Sequence, residues 1–220
     1  MVLSQPTPHT ETDDHGLIRA HAAGDRAAFD VLVARHKDRL FNLCFWFLGD
    51  FHEAEDVCQE VFIKIYQSIP KFRFESSFAT WSYRIAVNAC KNRVRSLAFR
   101  LKKVTRRLDA GPVLPRGEGS GKTDAAFGEP HLTEAATPSN RPDAQLEARE
   151  RVEAVRRAIR TLSADKRSVL VLRDMEGLSY TEIAGITGLP VGTVKSRLAR
   201  AREELKNKLT DFMSNELPNG

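Results

Sequence analysis

Little in this 220-residue chain invites covalent chemistry. Its three cysteines, Cys44, Cys58 and Cys90, fall in apolar-periodic segments and never at C-x-x-C spacing. That pattern favours core packing over a metal site or disulfide, and it fits a reducing compartment. The six histidines are scattered, so they suggest no ligand cluster. There is no glycine-rich phosphate loop and no nucleophile motif. No catalytic residue, metal or other cofactor is therefore expected. Long apolar runs are missing too: none approaches the roughly 20 residues a membrane helix needs. The N-terminus carries Glu11, Asp13 and Asp14 without a basic stretch leading into an apolar one, so it does not read as a signal peptide. The chain reads as soluble and cytoplasmic, without membrane insertion. The most informative absence is of acid. Between Ser76 and Leu108 there is no Asp or Glu, yet Arg84, Lys91, Arg93, Arg95, Arg100, Lys102, Lys103, Arg106 and Arg107 all fall there. With a net charge of +5, such a segment is either a solvated basic surface or the contact for a polyanion.

Apolar residues make up 41% of the chain, enough for ordinary cores. The hydrophobic spacing is helical throughout and no strand-period alternation stands out. The expected fold is all-α: two small helical domains joined by a flexible linker. Residues 1–15 read as a disordered N-terminus, 16–100 as the first domain, 101–142 as the linker, 143–213 as the second domain and 214–220 as a disordered tail. The linker holds half of the ten prolines and could be helical at its basic start.

In the first domain, Gly49 should end one helix, and Asp50 with Glu53 has capping-box spacing for the next. On a helical wheel Ala54, Val57, Cys58, Val61, Phe62, Ile65 and Ile69 share one side. Asp56, Gln59, Glu60, Ile63 and Gln67 share the other. Two readings fit Ile63: a lone exposed isoleucine, or the apolar anchor of an acidic protein-binding patch. An aromatic loop follows, with Phe72, Arg73 and Phe74, and then a helix from about Phe78. That helix carries Thr80, Arg84, Asn88, Lys91, Asn92 and Arg95 opposite its apolar face, with Trp81 at the edge. Rings beside cations suit unpaired DNA, whose bases have lost their stack; the alternative is that these rings are core. Phe78 and Trp81 fit the core better than Phe72 and Phe74, which lie in a polar loop.

In the second domain, Leu146, Val152, Val155, Ile159 and Leu162 make an amphipathic helix. Ser163 can cap a second helix, which stops near Gly177, and Ser179 can cap a third over Tyr180–Ile186. Gly188 suits a tight turn and Pro190 the start of a final helix. That helix buries Val191, Val194, Leu198, Ala201 and Leu205 and leaves Thr193, Lys195, Ser196, Arg197 and Arg200 outside or at the flank. The spacing is that of a helix-turn-helix, whose second helix enters a major groove. Lys195, Ser196 and Arg200 are placed to read bases, and Arg197 and Arg202 to meet phosphates. A hairpin with a solvated basic face is the bland alternative.

Three stretches together resemble the extracytoplasmic-function (ECF) group of the bacterial sigma-70 family. AEDVCQEVFIKIYQSIPKF, Ala54 to Phe72, resembles the helix that binds the clamp of the RNA polymerase β′ subunit. FATWSYRIAVNACKNRVR, Phe78 to Arg95, resembles the segment that melts and captures the −10 element. LSYTEIAGITGLPVGTVKSRLARAREEL, Leu178 to Leu205, resembles the −35 reader. The resemblance implies that Asp56, Gln59, Glu60, Ile63 and Gln67 face core RNA polymerase, with its β′ clamp and β subunits as partners. It implies that the Phe72–Ser77 loop and Asn88 meet flipped non-template bases. Asn92 stands where many relatives carry an aspartate. Promoter DNA and an anti-sigma factor are implied as further partners. Two rivals compete with this reading: a stand-alone helix-turn-helix regulator, which would bind duplex without polymerase, and a single-strand-binding protein indifferent to duplex sequence.

Overall fold

The computed structural model describes the backbone of residues 13–108 and 142–216, with side chains over 13–100 and 149–210. The glycine- and proline-rich stretch 109–141 and the two termini lie outside the described residues, as do the side chains of Lys102, Lys103, Arg106, Arg107 and Leu146. The described residues are helical and contain no strand. Four helices make the first half: α1 (Asp14–Ala22), α2 (Arg26–Leu48), α3 (Phe51–Ser68) and α4 (Phe78–Leu108). Four make the second: α5 (Pro142–Thr161), α6 (Ala164–Leu170), α7 (Tyr180–Thr187) and α8 (Val191–Glu216). Helix thus begins at Asp14, inside the stretch read from sequence as a disordered tail, and α4 continues through the basic start of the expected linker.

Local chemistry sets these boundaries. Gly49 closes α2 in the left-handed region at φ 75°, and the Asp50 carboxylate accepts the Glu53 amide hydrogen at 2.9 Å to open α3. Only half of the expected capping box forms, because the Glu53 side chain is drawn to Arg93 instead. Ser179 and Glu182 form the complete reciprocal box at α7. Ser163 precedes α6 as expected but makes no capping hydrogen bond with its side chain. Past Leu170 the backbone widens into a π-helical turn, Val171–Met175, which carries Val171 and Leu172 into the core.

The wheel of α3 is realised: Ala54, Val57, Cys58, Val61 and Ile65 are fully buried, and Phe62 packs at the margin. The three cysteines lie close together in this core as free thiols, and burial with their mutual contacts pushes Cys44 and Cys58 far above the usual thiol range. They are packing residues, not reactive ones.

The two halves do not sit apart. Their apolar residues form one continuous core in which α4 meets α6 and α7, and α2 meets α5 and the π-turn. Arg167 of α6 is 5% exposed and donates to the Phe47 carbonyl at 2.7 Å and the Leu162 carbonyl at 2.9 Å. It thereby ties the otherwise open C-terminal carbonyls of α2 and α5 to one guanidinium. Burial, together with the positive Arg160, pushes its pKa down to about 10. Arg156 of α5 lies 4.2 Å from the Phe45 ring centroid, a cation–aromatic contact across the boundary. Gly49 matters twice here, since a Cβ would also lie 2.1 Å from the Arg160 side chain.

Candidate functional site

Three surfaces carry the residues that the sequence singles out. The first is the outer face of α3. Its inner face is buried apart from Phe62 at the margin, so the helix cannot turn, and Ile63 is left 57% exposed. Asp56, Glu60 and Gln67 are exposed around it and Gln59 is half-buried. Two features were not read from the sequence. Arg93 reaches across from α4, donating to Glu53 and to Glu60 at 2.7 Å each and standing 3.8 Å from Asp56. Although burial opposes its charge, Glu53 and Glu60 hold the guanidinium pKa above its ordinary value. The acidic patch is therefore partly neutralised and held in one arrangement. Tyr66, one helical turn beyond Ile63, is 47% exposed and packs edge-on to Phe29 at 5.0 Å. The i, i+3 spacing from Ile63 was the available signal.

The second surface is the aromatic loop and α4. A tight 3-10 turn over Ile69–Lys71 folds Phe72 back beneath Trp81, 5.1 Å ring to ring. Phe72, expected to stand open in a polar loop, is 8% exposed and belongs to the core. Phe74 is the ring that remains outside, 37% exposed, and Arg73 is exposed beside it. Trp81 is half-buried against Phe72 and Phe78, and Phe78 is buried, as the sequence favoured. Asn88, Asn92 and Arg95 are open to solvent. Arg84 and Lys91 are instead engaged by the second half: Arg84 donates to the Gly185 carbonyl at 2.8 Å, and Lys91 to Asp165 at 2.7 Å. Lys91, with the Asp165 carboxylate holding it, holds that carboxyl below its usual range in turn.

The third surface is the helix-turn-helix. Gly188 takes φ 71° between α7 and α8, and Val194, Leu198 and Ala201 are buried beneath. Lys195, Ser196 and Arg200 are exposed, and Thr193 and Arg197 are half-buried. Arg197 lies 3.7 Å from Asp165, and Lys195 sits 5.5 Å above the Tyr180 ring. Arg202, expected at phosphates, forms a two-pronged pair with Asp174 at 2.5 and 3.1 Å. Between the halves, the Tyr83 hydroxyl donates to Glu176 at 2.7 Å, in a cavity lined also by Arg39, Trp46 and Glu182. Burial raises the Glu176 carboxyl above its usual value and, with Glu176 alongside, raises the Tyr83 phenol. Among the described residues no cluster of His, Cys, Asp or Glu is disposed to hold a metal ion, and no helix is long and apolar enough to cross a membrane.

Sigma-70 region 2 matches residues 32–100 and sigma-70 region 4 matches residues 152–205. Thus the first two surfaces fall in one region and the third in the other. The RNA polymerase sigma-H factor of Pseudomonas aeruginosa is 37% identical over 207 residues, covering 93% of this chain and 97% of the relative. The ECF sigma-E factor of Haemophilus influenzae is 37% identical over 200 residues, covering 91% and 97%. SigW of Bacillus subtilis is 36% identical over 189 residues, covering 86% and 92%. Among solved structures, CnrH in complex with the cytosolic domain of CnrY superposes with a TM-score of 0.58 at 24% identity, covering 93% of this chain and 99% of that one. The sigma factor RpoE of Bartonella quintana, in complex with the anti-sigma factor NepR, gives 0.53 at 22%, covering 83% and 96%.

Proposed function

Because the chain belongs to the ECF group of the sigma-70 family, and is thus a non-enzymatic factor for transcription initiation, we propose a specific division of its surface among three partners. The first module, residues 16–100, docks core RNA polymerase through Asp56, Gln59, Glu60, Ile63 and Gln67. The same module captures the opened −10 strand through the aromatic loop and the basic face of α4. The second, residues 143–213, reads the −35 duplex with Lys195, Ser196 and Arg200 and meets phosphates with Arg197. Phosphodiester chemistry stays with polymerase. The observation that carries the docking assignment is Ile63, 57% exposed on a helix whose opposite face is buried at Ala54, Val57, Cys58, Val61 and Ile65. An apolar residue flanked by Asp56 and Glu60, with Tyr66 beside it, suits a protein surface better than DNA, even with Arg93 neutralising part of the acid.

The free chain is a closed form of this device. Arg84 and Lys91 are held by the second module, so that part of the strand-capturing face becomes available when the modules part, while Phe74, Asn88, Asn92 and Arg95 are already open. The docking face of α3 lies outside that contact and can engage polymerase first. By analogy with the RpoE–NepR complex, an anti-sigma protein is the partner that would keep the modules unavailable.

The test is run-off transcription with core enzyme on a promoter found by mapping start sites on genomic DNA. Charge reversal of Asp56 and Glu60 should abolish initiation while the second module still binds duplex. Undiminished initiation would refute the docking assignment. The stand-alone regulator remains the rival reading, and it predicts that no complex with core polymerase forms.

A further inference from the structure

We propose that α1 completes the strand-capture surface, with Phe74 as the platform on which one unpaired DNA base stacks and Arg19 as the cation that closes over it. This rests on the strand-capture reading above but adds α1 and its Arg19, which lie outside the region 2 match that begins at residue 32.

Phe74 is the one non-glycine residue with positive φ among the described residues, at 59°. A side chain there is strained, because its Cβ crowds the following carbonyl. Such strain persists only where the surroundings hold it, and it concentrates where a side chain must be presented rather than packed. Phe74 fits that pattern. The turn that buries Phe72 throws Phe74 outward, 37% exposed, with only one ring from the core against it, Phe72 at 5.0 Å.

The remaining contacts come from α1. His15 meets the Phe74 ring edge-on at 5.2 Å, and the Arg19 guanidinium carbon stands 5.1 Å from the ring centroid. Helix α1 is anchored, so the backbone positions of His15 and Arg19 are fixed. Leu17 and Ile18 are buried, Asp13 caps the helix through the Gly16 amide at 2.8 Å, and Asp14 pairs with Arg35 at 2.7 Å and His36 at 2.8 Å. Arg19 is exposed, and no carboxylate among the described residues pairs with it. It is a cation whose only described partner is the face of a ring.

A stacked guanidinium occupies the place a planar base would take, and a base entering there exchanges one π-contact for another. The flexible Arg19 side chain can then lie over the base or turn to the adjoining phosphate. Duplex DNA offers no free base face, so the ligand is a separated strand. A merely structural Phe74 would be better served by glycine, which tolerates positive φ.

The experiment uses the full chain with core polymerase on one mapped promoter, either fully paired or pre-opened by mismatches across the −10 region. Arg19→Ala and Phe74→Gly should each weaken holoenzyme binding to the pre-opened template about tenfold, the scale of one lost stack. Association with core enzyme should not change. Arg19→Lys should restore most of the loss, and Phe74→Gly should keep the wild-type thermal midpoint. Wild-type binding by both variants would overturn the proposal. So would a loss with Phe74→Gly that tracks a fallen midpoint while Arg19→Ala binds normally, since Phe74 would then be packing alone. If the wild-type chain itself fails to direct initiation, the strand-capture reading fails first and this inference falls with it.

Discussion

Lys91 of α4 donates a 2.7 Å hydrogen bond to Asp165 of α6, and the same carboxylate lies 3.7 Å from Arg197 of α8. One acid therefore faces a cation from each of the two surfaces assigned to DNA. It stands where a phosphate would stand for either. The Asp165 side chain is 55% exposed and Lys91 15%, so the pair is accessible to a competing polyanion.

Replacing Asp165 with Ala should raise the affinity of the isolated chain for promoter DNA. A partly exposed ion pair contributes about 0.2–1 kcal/mol, so the gain should be about 1.4- to fivefold. Fluorescence anisotropy at low salt measures it. An affinity that falls or stays level would show that Asp165 does not restrain either surface.

Ile63→Ala should weaken association with core polymerase by about 1–2 kcal/mol, the cost of truncating an interface anchor. Because Ile63 is 57% exposed, the thermal midpoint should barely move. Competition against a labelled wild-type chain reads the difference. Equal competition would remove Ile63 from the docking surface.

On the −35 side, the expected effects separate by role. Arg200→Ala should cost about 1–3 kcal/mol and relax the preference at one base pair, as loss of a base contact does. Arg197→Ala should weaken binding uniformly across sequences and reduce the salt slope by about 1, as loss of a phosphate contact does. Binding to a promoter library at several salt concentrations distinguishes them, and a reversal of the two profiles would reverse the assignments.

Closure should respond to acid through Glu176. Burial between the modules raises its carboxyl pKa, while Tyr83 as a donor and nearby Arg39 oppose the rise. The sign follows: a group whose pKa is higher in the closed state takes up a proton on closing. Its favourable contribution is complete below the ordinary carboxyl value of 4.5 and fades as pH rises through the raised one. Thermal unfolding should show Glu176→Gln more stable than the wild type at neutral pH, with that advantage disappearing in acid, where the wild-type carboxyl is itself protonated. Equal stability at neutral pH would contradict this account.

Much of the local structure was legible. The apolar spacing of Ala54, Val57, Val61 and Ile65 fixes which side of α3 is buried, and so leaves Ile63 outside. Gly49, Asp50, Ser179 and Gly188 mark helix ends because their chemistry satisfies or bends the backbone on the spot. Phe72 and Phe74 were not distinguishable. Both are aromatic, both lie in one polar loop, and a single backbone angle decides which is core and which is presented. Arg167 reads as a surface charge on a short polar helix, yet it is buried against carbonyls from another half of the chain.

From the residues alone come the helices, their inward faces and the family, since each depends on side chains a few positions apart. Whether the two helical modules stand separate or share a core depends on matches such as Tyr83 with Glu176 and Lys91 with Asp165, partners 93 and 74 positions apart. No periodicity encodes such pairings. They exist because packing brings complementary groups within hydrogen-bonding distance, and that proximity decides which cations stand exposed and which are paired across the two halves.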